Sequence, residues 1–198
     1  MHHTARLLES LGHSVEEDTL PAFDDERLMS GMGVVMASAI AREVQRVNTL
    51  LGIYADLQDL EPMNAMLCEM GRAFTATDYL KAVEELQGYS RRLCASWSDW
   101  DLLLTPTSAI ITPKIGELGP DVEIEGLLAK QALATFFTSP FNVTGQPAMS
   151  LPLYWTDSGL PVGIQLVSGY GREDILIRVA SQLEEAQPWS KRRPLLHA

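Results

Sequence analysis

The segment DLLLTPT, residues 101–107, breaks the periodicity of everything before it. Upstream, apolar residues recur at three- and four-residue spacing, as in amphipathic helices. Here three leucines run together and Pro106 closes the run. Such a run reads as a strand buried on both faces, typical of a parallel or mixed sheet covered by helices. Two more strand patterns, at about 148–153 and 162–168, follow a long loop and a helix predicted over 124–137. A last helix is predicted from about Glu173 to Glu185, ending before Pro188. This order predicts the α/β class, a mixed β-sheet covered by helices on both faces.

The first half is mostly helical. Residues 4–11 place Ala5, Leu8 and Leu11 on one face, and Gly12 is a natural stop. A short strand is expected near Val15. A helix leading straight into a strand normally continues an earlier strand, so the opening reads as the middle of a βαβ crossover. Pro21 marks a loop, and Asp24 or Asp25 can cap a helix over roughly 25–50 that ends at Gly52. Pro62 opens a helix bearing Met63, Met66, Leu67 and Met70. TATD, residues 75–78, has the form of a capping box, with Thr75 as cap and Asp78 in the Glu/Gln position. The helix behind it is expected to bury Leu80, Val83, Leu86, Leu93, Cys94 and Trp97.

Gly31 and Gly33 stand inside the helix over 25–50, where each costs about 1 kcal/mol relative to Ala. They indicate either close packing against another backbone or a place beside a pocket. Cys68 and Cys94 have no ligand-like spacing and lie on apolar helical stripes, as buried thiols of a reducing compartment do.

With 198 residues, 46% apolar and 21% charged, the chain can bury a core, and one domain over 1–198 with a tail at 188–198 is expected. No window holds about 18 uninterrupted apolar residues, so no membrane span is expected. The N-terminus shows no basic region followed by an apolar block. With the thiols, this makes the cytoplasm the expected location. A net charge of -11 opposes nucleic-acid binding, and Lys191, Arg192 and Arg193 read as a solvated tail.

The sequence contains no phosphate loop, dinucleotide fingerprint, zinc motif or G-x-S-x-G elbow. Its four histidines, His2, His3, His13 and His197, are too scattered for a metal site. No lysine has the apolar setting that would make it a base. From the residues alone there is no recognisable catalytic centre.

The segments DLLLTPT, FTSPFNVTGQPAMSLPL and GLPVGIQLVSGYGREDILIRVASQLEE occur in that order and together resemble the C-terminal part of the amidase signature family. TARLLESLGHSVEE is similar to the helix and strand that open that family's C-terminal half. The resemblance is specific at 101–107 and 137–185 and looser between 18 and 75. It implies an incomplete C-terminal portion of the amidase signature fold, taken from a hydrolase of carboxylic amides that needs no metal or organic cofactor. In that family a lysine deprotonates a serine at a cis peptide bond. That serine activates a nucleophilic serine in a Gly/Ser-rich stretch, whose backbone N–H groups hold the oxyanion. These residues belong to the N-terminal half and have no counterpart here. The chain is therefore expected to hold no catalytic residue and to be inactive alone. Its implied partners are the N-terminal catalytic half and a small amide substrate.

By the same resemblance, residues 141–153 enter a strand beside the catalytic half. Gly145 and Pro147 are expected to set the turn, with Asn142 and Thr144 satisfying loop backbone groups through their side chains. Gly33, Met36, Thr135 and Phe136 are the expected wall of an apolar substrate pocket. Transamidase subunits of the family usually carry an acidic residue just before the F-T-x-P-x-N run, where this chain has Thr135 and Phe136. With the negative charge, this departs from a tRNA-linked role. The pattern is closer to amidases of hydrophobic or synthetic amides, of the 6-aminohexanoate-cyclic-dimer hydrolase kind. An isolated portion of such a sheet would bare an edge, so self-association is expected.

Overall fold

The computed structural model of the protein describes every residue except 20–22, 24, 56, 98–99 and 194–198. It has the expected α/β class. Its contacts fall into two compact units. One comprises Met1–Leu20, Cys94–Thr112 and Leu133–Ala198; the other comprises Pro21–Leu93 and Pro113–Ala132.

The first unit is built on three strands, β1 (Leu102–Pro106), β2 (Ala148–Trp155) and β3 (Pro161–Ser168), in the order β1-β3-β2. Both pairings are antiparallel. Leu104 of β1 and Met149 of β2 both oppose Leu166, and Leu151 opposes Ile164, so one sheet face is a continuous apolar patch. Helix α1 (His2–Ser10) contributes Leu8 to it, and a second helix near the C-terminus contributes Leu176, Val179 and Leu183. That second helix is α7 (Glu173–Ala186), and its three core residues follow helical spacing. Glu173 and Asp174 in its first turn suit the positive end of the helix dipole. No strand forms near Val15. The residue packs on the core from an irregular segment, since the polar residues around it offer no alternating pattern to pair.

Lys191, Arg192 and Arg193 are exposed, as expected of a solvated tail. Trp189 packs against the core, and the Arg192 guanidinium lies 4.1 Å from the centre of the Trp155 ring.

The second unit is helical. Helix α2 (Glu26–Leu51) begins at Asp25, which accepts the Arg27 backbone N–H, and ends at Gly52 with φ 64°. Helix α3 (Pro62–Ala73) approaches α2 so closely that a side chain at Gly71 would overlap the Ala37 carbonyl. Helix α4 (Ala76–Ala95) starts at the capping box. The Asp78 N–H donates to Thr75 Oγ1 at 3.1 Å, and the Thr75 N–H donates back to Asp78 Oδ2 at 2.8 Å. The buried face of α4 matches the expected one at Leu93 and departs from it elsewhere. Ala82, Tyr89 and Leu93 are inside, Leu80 is 60% exposed, and Trp97 lies beyond the helix end. Helix α5 (Ile124–Thr135) follows the expected loop. Cys68 and Cys94 are both thiols, and Cys68 is buried. No helix among the described residues is long and apolar enough to cross a membrane.

Candidate functional site

The second face of the sheet carries polar residues beside Leu103 and Val167, and its centre is Gln165. This residue is 4% exposed. Its Nε2 donates to Thr105 Oγ1 at 3.0 Å and to the Phe137 carbonyl at 2.8 Å. One side chain thus fastens β1, β3 and the segment that leaves α5. Beyond it, Thr107 and Ser150 share a hydroxyl hydrogen bond of 2.6 Å over Gly163. These polar residues were not anticipated from sequence. The signal was a lone glutamine inside the apolar run GIQLV, which a strand can bury only with partners supplied.

Thr135 and Phe136 lie next to this clamp. The Thr135 carbonyl accepts from Ser139 Oγ at 2.9 Å and Thr138 Oγ1 at 3.1 Å, which turns the chain sharply. The Phe136 ring is 42% exposed and stands edge-on to Phe137, with centroids 5.0 Å apart.

The turn then enters a short helix, α6 (Ser139–Thr144), where a loop was expected. Asn142 and Thr144 are therefore helical. The exposed Asn142 donates its backbone N–H to the Thr138 carbonyl at 3.1 Å, so its main chain needs no side-chain partner. Thr144 is buried, and its Oγ1 accepts the Gln146 N–H at 3.3 Å. Gly145 has φ 73° and closes α6 by donating its N–H to the Phe141 carbonyl at 2.8 Å. The Pro147 carbonyl accepts the Ser168 N–H at 3.0 Å, and Gln146 Nε2 donates to the Ser168 carbonyl at 3.1 Å. Both ends of the Ser168 peptide are thereby held.

Gly33 and Met36 belong to the second unit. They sit three residues apart on α2, so they share a face. Met36 is 50% exposed. The two helix glycines have different causes. A Cβ at Gly31 would come within 3.0 Å of Leu86, whereas nothing lies within 4 Å of a Cβ built at Gly33. Packing explains the first and leaves the second as open space beside Met36. The two expected wall pairs thus lie in different units.

Asp25, at the start of α2, is the acid most strongly perturbed among the described residues. Its Oδ1 accepts Arg27 Nε at 2.8 Å, and its Oδ2 accepts Arg92 Nη2 at 2.7 Å. The Arg27 hydrogen bond, reinforced by Arg92, holds its carboxyl well below the usual carboxylate range despite partial burial. This is an exposed-rim ion cluster, with no nucleophile in its hydrogen bonds.

Amide cleavage needs a hydroxyl or thiol bonded to a base. The sheet-borne and buried serines have other partners. Ser150 bonds a threonine, while Ser139 and Ser168 donate to carbonyls. Lys130 and Lys81 face Glu117 and Glu85. Among the described residues, no group of three or more His, Cys, Asp or Glu could hold a metal ion. A small cavity of about 50 Å³ lined by Pro62, Met63, Leu118, Val122 and Leu127 contains none of the expected wall residues.

The chain belongs to the amidase family, whose model, described as Amidase, matches residues 1–177. It is 40% identical over 203 residues to a 6-aminohexanoate-cyclic-dimer hydrolase of Paenarthrobacter ureafaciens, covering 97% of this chain and 40% of that relative. A second relative of the same description, from Pseudomonas sp. (strain NK87), is 38% identical, with 97% of this chain and 40% of the relative covered. A solved structure of 6-aminohexanoate cyclic dimer hydrolase superposes with a TM-score of 0.89 at 36% identity, covering 98% of this chain and 42% of that one. The chain thus spans about two fifths of the length of the relatives it matches.

Proposed function

We propose that this chain is the C-terminal scaffold, and one wall of the substrate pocket, of an enzyme that hydrolyses carboxylic amides through a Ser–cisSer–Lys centre borne by residues outside it. The observation that carries this reading is the amidase match over residues 1–177, in a chain where Ser139, Ser150 and Ser168 hydrogen-bond a hydroxyl or carbonyls among the described residues. In such a centre the lysine takes a proton through the middle serine, and the nucleophilic serine attacks the amide carbon. Backbone N–H groups hold the oxyanion, the amine leaves with the proton, and water releases the acid. The chain's contribution is to hold Thr135 and Phe136 through the Gln165 clamp. The relatives point to an aliphatic amide such as the cyclic dimer of 6-aminohexanoate.

The test is hydrolysis of that cyclic dimer, followed by the appearance of a free amine. The purified chain alone is expected to match buffer. Adding the part of the Paenarthrobacter relative that this chain does not cover is expected to produce turnover. Turnover by the chain alone defeats the proposal, as does a stable complex without turnover.

A further inference from the structure

Three side-chain polar atoms of the first unit are buried and have no hydrogen-bond partner among the described residues. They are the indole Nε1 of Trp97, the indole Nε1 of Trp100 and Oε1 of Gln146. Both tryptophans lie between α4 and β1, and Gln146 lies in the turn from α6 into β2. Gln146 is 6% exposed. Its Nε2 is committed to the Ser168 carbonyl at 3.1 Å. A carbonyl accepts only from an N–H or O–H, so the free atom of that amide is the oxygen.

The three side chains converge. A Cβ built at Gly169 would lie 3.3 Å from Trp97 Cδ1 and 3.9 Å from Trp97 Nε1. Trp97 and Gln146 therefore flank one peptide, Ser168–Gly169. The Trp100 ring stands edge-to-face with Trp97, with centroids 5.9 Å apart, and Phe141 does the same at 6.2 Å. Neighbouring main-chain acceptors already have donors. The Gly169 carbonyl takes the Arg172 N–H at 3.2 Å, and the Phe141 carbonyl takes the Gly145 N–H at 2.8 Å. Buried polar groups in native proteins are nearly always paired, so two donors and one acceptor left over together ask for a guest.

That surplus defines the chemistry of the guest, which must accept two hydrogen bonds and donate one. A carboxylate cannot donate to Gln146 Oε1 and would meet it as a second negative end. An ammonium group cannot accept from the indoles. A primary carboxamide does both. Its carbonyl oxygen has two lone pairs for the two indole N–H groups, and its NH2 group can donate to Gln146 Oε1. Its flat, uncharged body suits walls made of aromatic rings.

We propose that Trp97, Trp100 and Gln146 form a binding site for a small primary carboxamide. The inference goes beyond the function proposed above and does not depend on it, since the site is built from this chain's residues alone. An occupied site ties the segment before β1 to the turn before β2.

The test is NMR of the indole N–H resonances of the chain during titration with acetamide, with acetate, methylammonium and methanol as comparisons. Acetamide is expected to move the Trp97 and Trp100 resonances downfield and saturably, while those of Trp155 and Trp189 stay in place. Trp100→Phe keeps an aromatic ring and removes one donor, and is expected to weaken acetamide binding about tenfold. Gln146→Met removes the acceptor and is expected to weaken it by a similar factor. That variant also frees the Ser168 carbonyl, so Trp100→Phe decides the matter if Gln146→Met does not fold. Unchanged affinity in Trp100→Phe overturns the proposal. Acetate or methylammonium moving the same two resonances as strongly as acetamide also overturns it. An equal response to methanol reduces the site to a hydroxyl or water position and refutes the carboxamide. Resonances that ignore acetamide, whether the indoles are held by long-lived water or lie over a neighbouring ring, refute it outright.

Discussion

Thr107 and Ser150, on either side of the central strand, hydrogen-bond to each other at 2.6 Å directly over Gly163. A Cβ at Gly163 would lie 2.7 Å from both hydroxyl oxygens and 3.1 Å from Thr107 Cβ. The glycine is what lets the two outer strands touch across the middle one. Gly163→Ala is expected to lower stability by about 1–3 kcal/mol, read from the urea midpoint. Adding Ser150→Ala should return part of the loss. Equal midpoints for wild type and Gly163→Ala would show that the hydroxyl pair moves aside freely.

Helix glycines should respond with opposite signs. At Gly71 a methyl group would overlap the Ala37 carbonyl, so Gly71→Ala must part α2 from α3 and is expected to destabilise. At Gly33 nothing is within 4 Å, so Gly33→Ala is expected to raise stability by up to about 1 kcal/mol through helix propensity alone. Thermal melting of the two variants distinguishes them. A fall in melting temperature for Gly33→Ala would mean that the space there is filled.

These positions also show what the sequence revealed and what it hid. Helix boundaries at Gly52, Pro62 and Thr75–Asp78 were legible because each rests on a local device: a left-handed residue, a fixed φ or a reciprocal cap. Helix α6 was missed although Pro140 stands near its start and Gly145 just past its end. Its Asn and Thr content outweighed those marks. The buried stripe of α4 was displaced because Leu80, an apolar residue at the right spacing, faces outward and small Ala82 faces inward. Which face of a helix is buried depends on its neighbours, and no local pattern encodes them. The Gln165 clamp was hidden for a related reason, since its partners Thr105 and Phe137 lie 60 and 28 residues away.

The acid limb of the stability curve should carry the signature of Asp25. Its folded-state pKa is depressed, first by the hydrogen bond from Arg27. The unfolded chain, with a carboxylate value of about 3.9, therefore binds a proton at higher pH than the folded one. The stabilisation is fully present above that value and is lost progressively as pH falls below it. Asp25→Asn keeps a capping oxygen and removes the charge. Its stability is expected to be lower than wild type at pH 7 and to fall less steeply between about pH 4 and pH 2. Parallel acid limbs for the two proteins would assign the loss to other carboxylates.

Tyr89 presents the reverse case. The side chain is 1% exposed, and its hydroxyl has no hydrogen-bond partner among the described residues. Burial pushes its pKa up, with the nearby Asp25 charge acting in the same direction. An unpaired buried hydroxyl costs about 1–3 kcal/mol, so Tyr89→Phe is expected to be neutral or stabilising. Tyr89→Ala would empty a packed site and cost about 3–5 kcal/mol, by analogy with Phe→Ala. Calorimetry of the two variants checks the pair. A clear loss on Tyr89→Phe would reveal a bond made by the hydroxyl.

The contact between His3 and Gln187 has a further consequence. Residues 184 positions apart meet at 3.0 Å, so α1 begins where α7 has just finished. A short added linker would span from the end of α7 back to the start of α1. A circular permutant joined head to tail and reopened within the loop over 108–123 should therefore keep the same hydrophobic core, with its new ends at a different point on the surface.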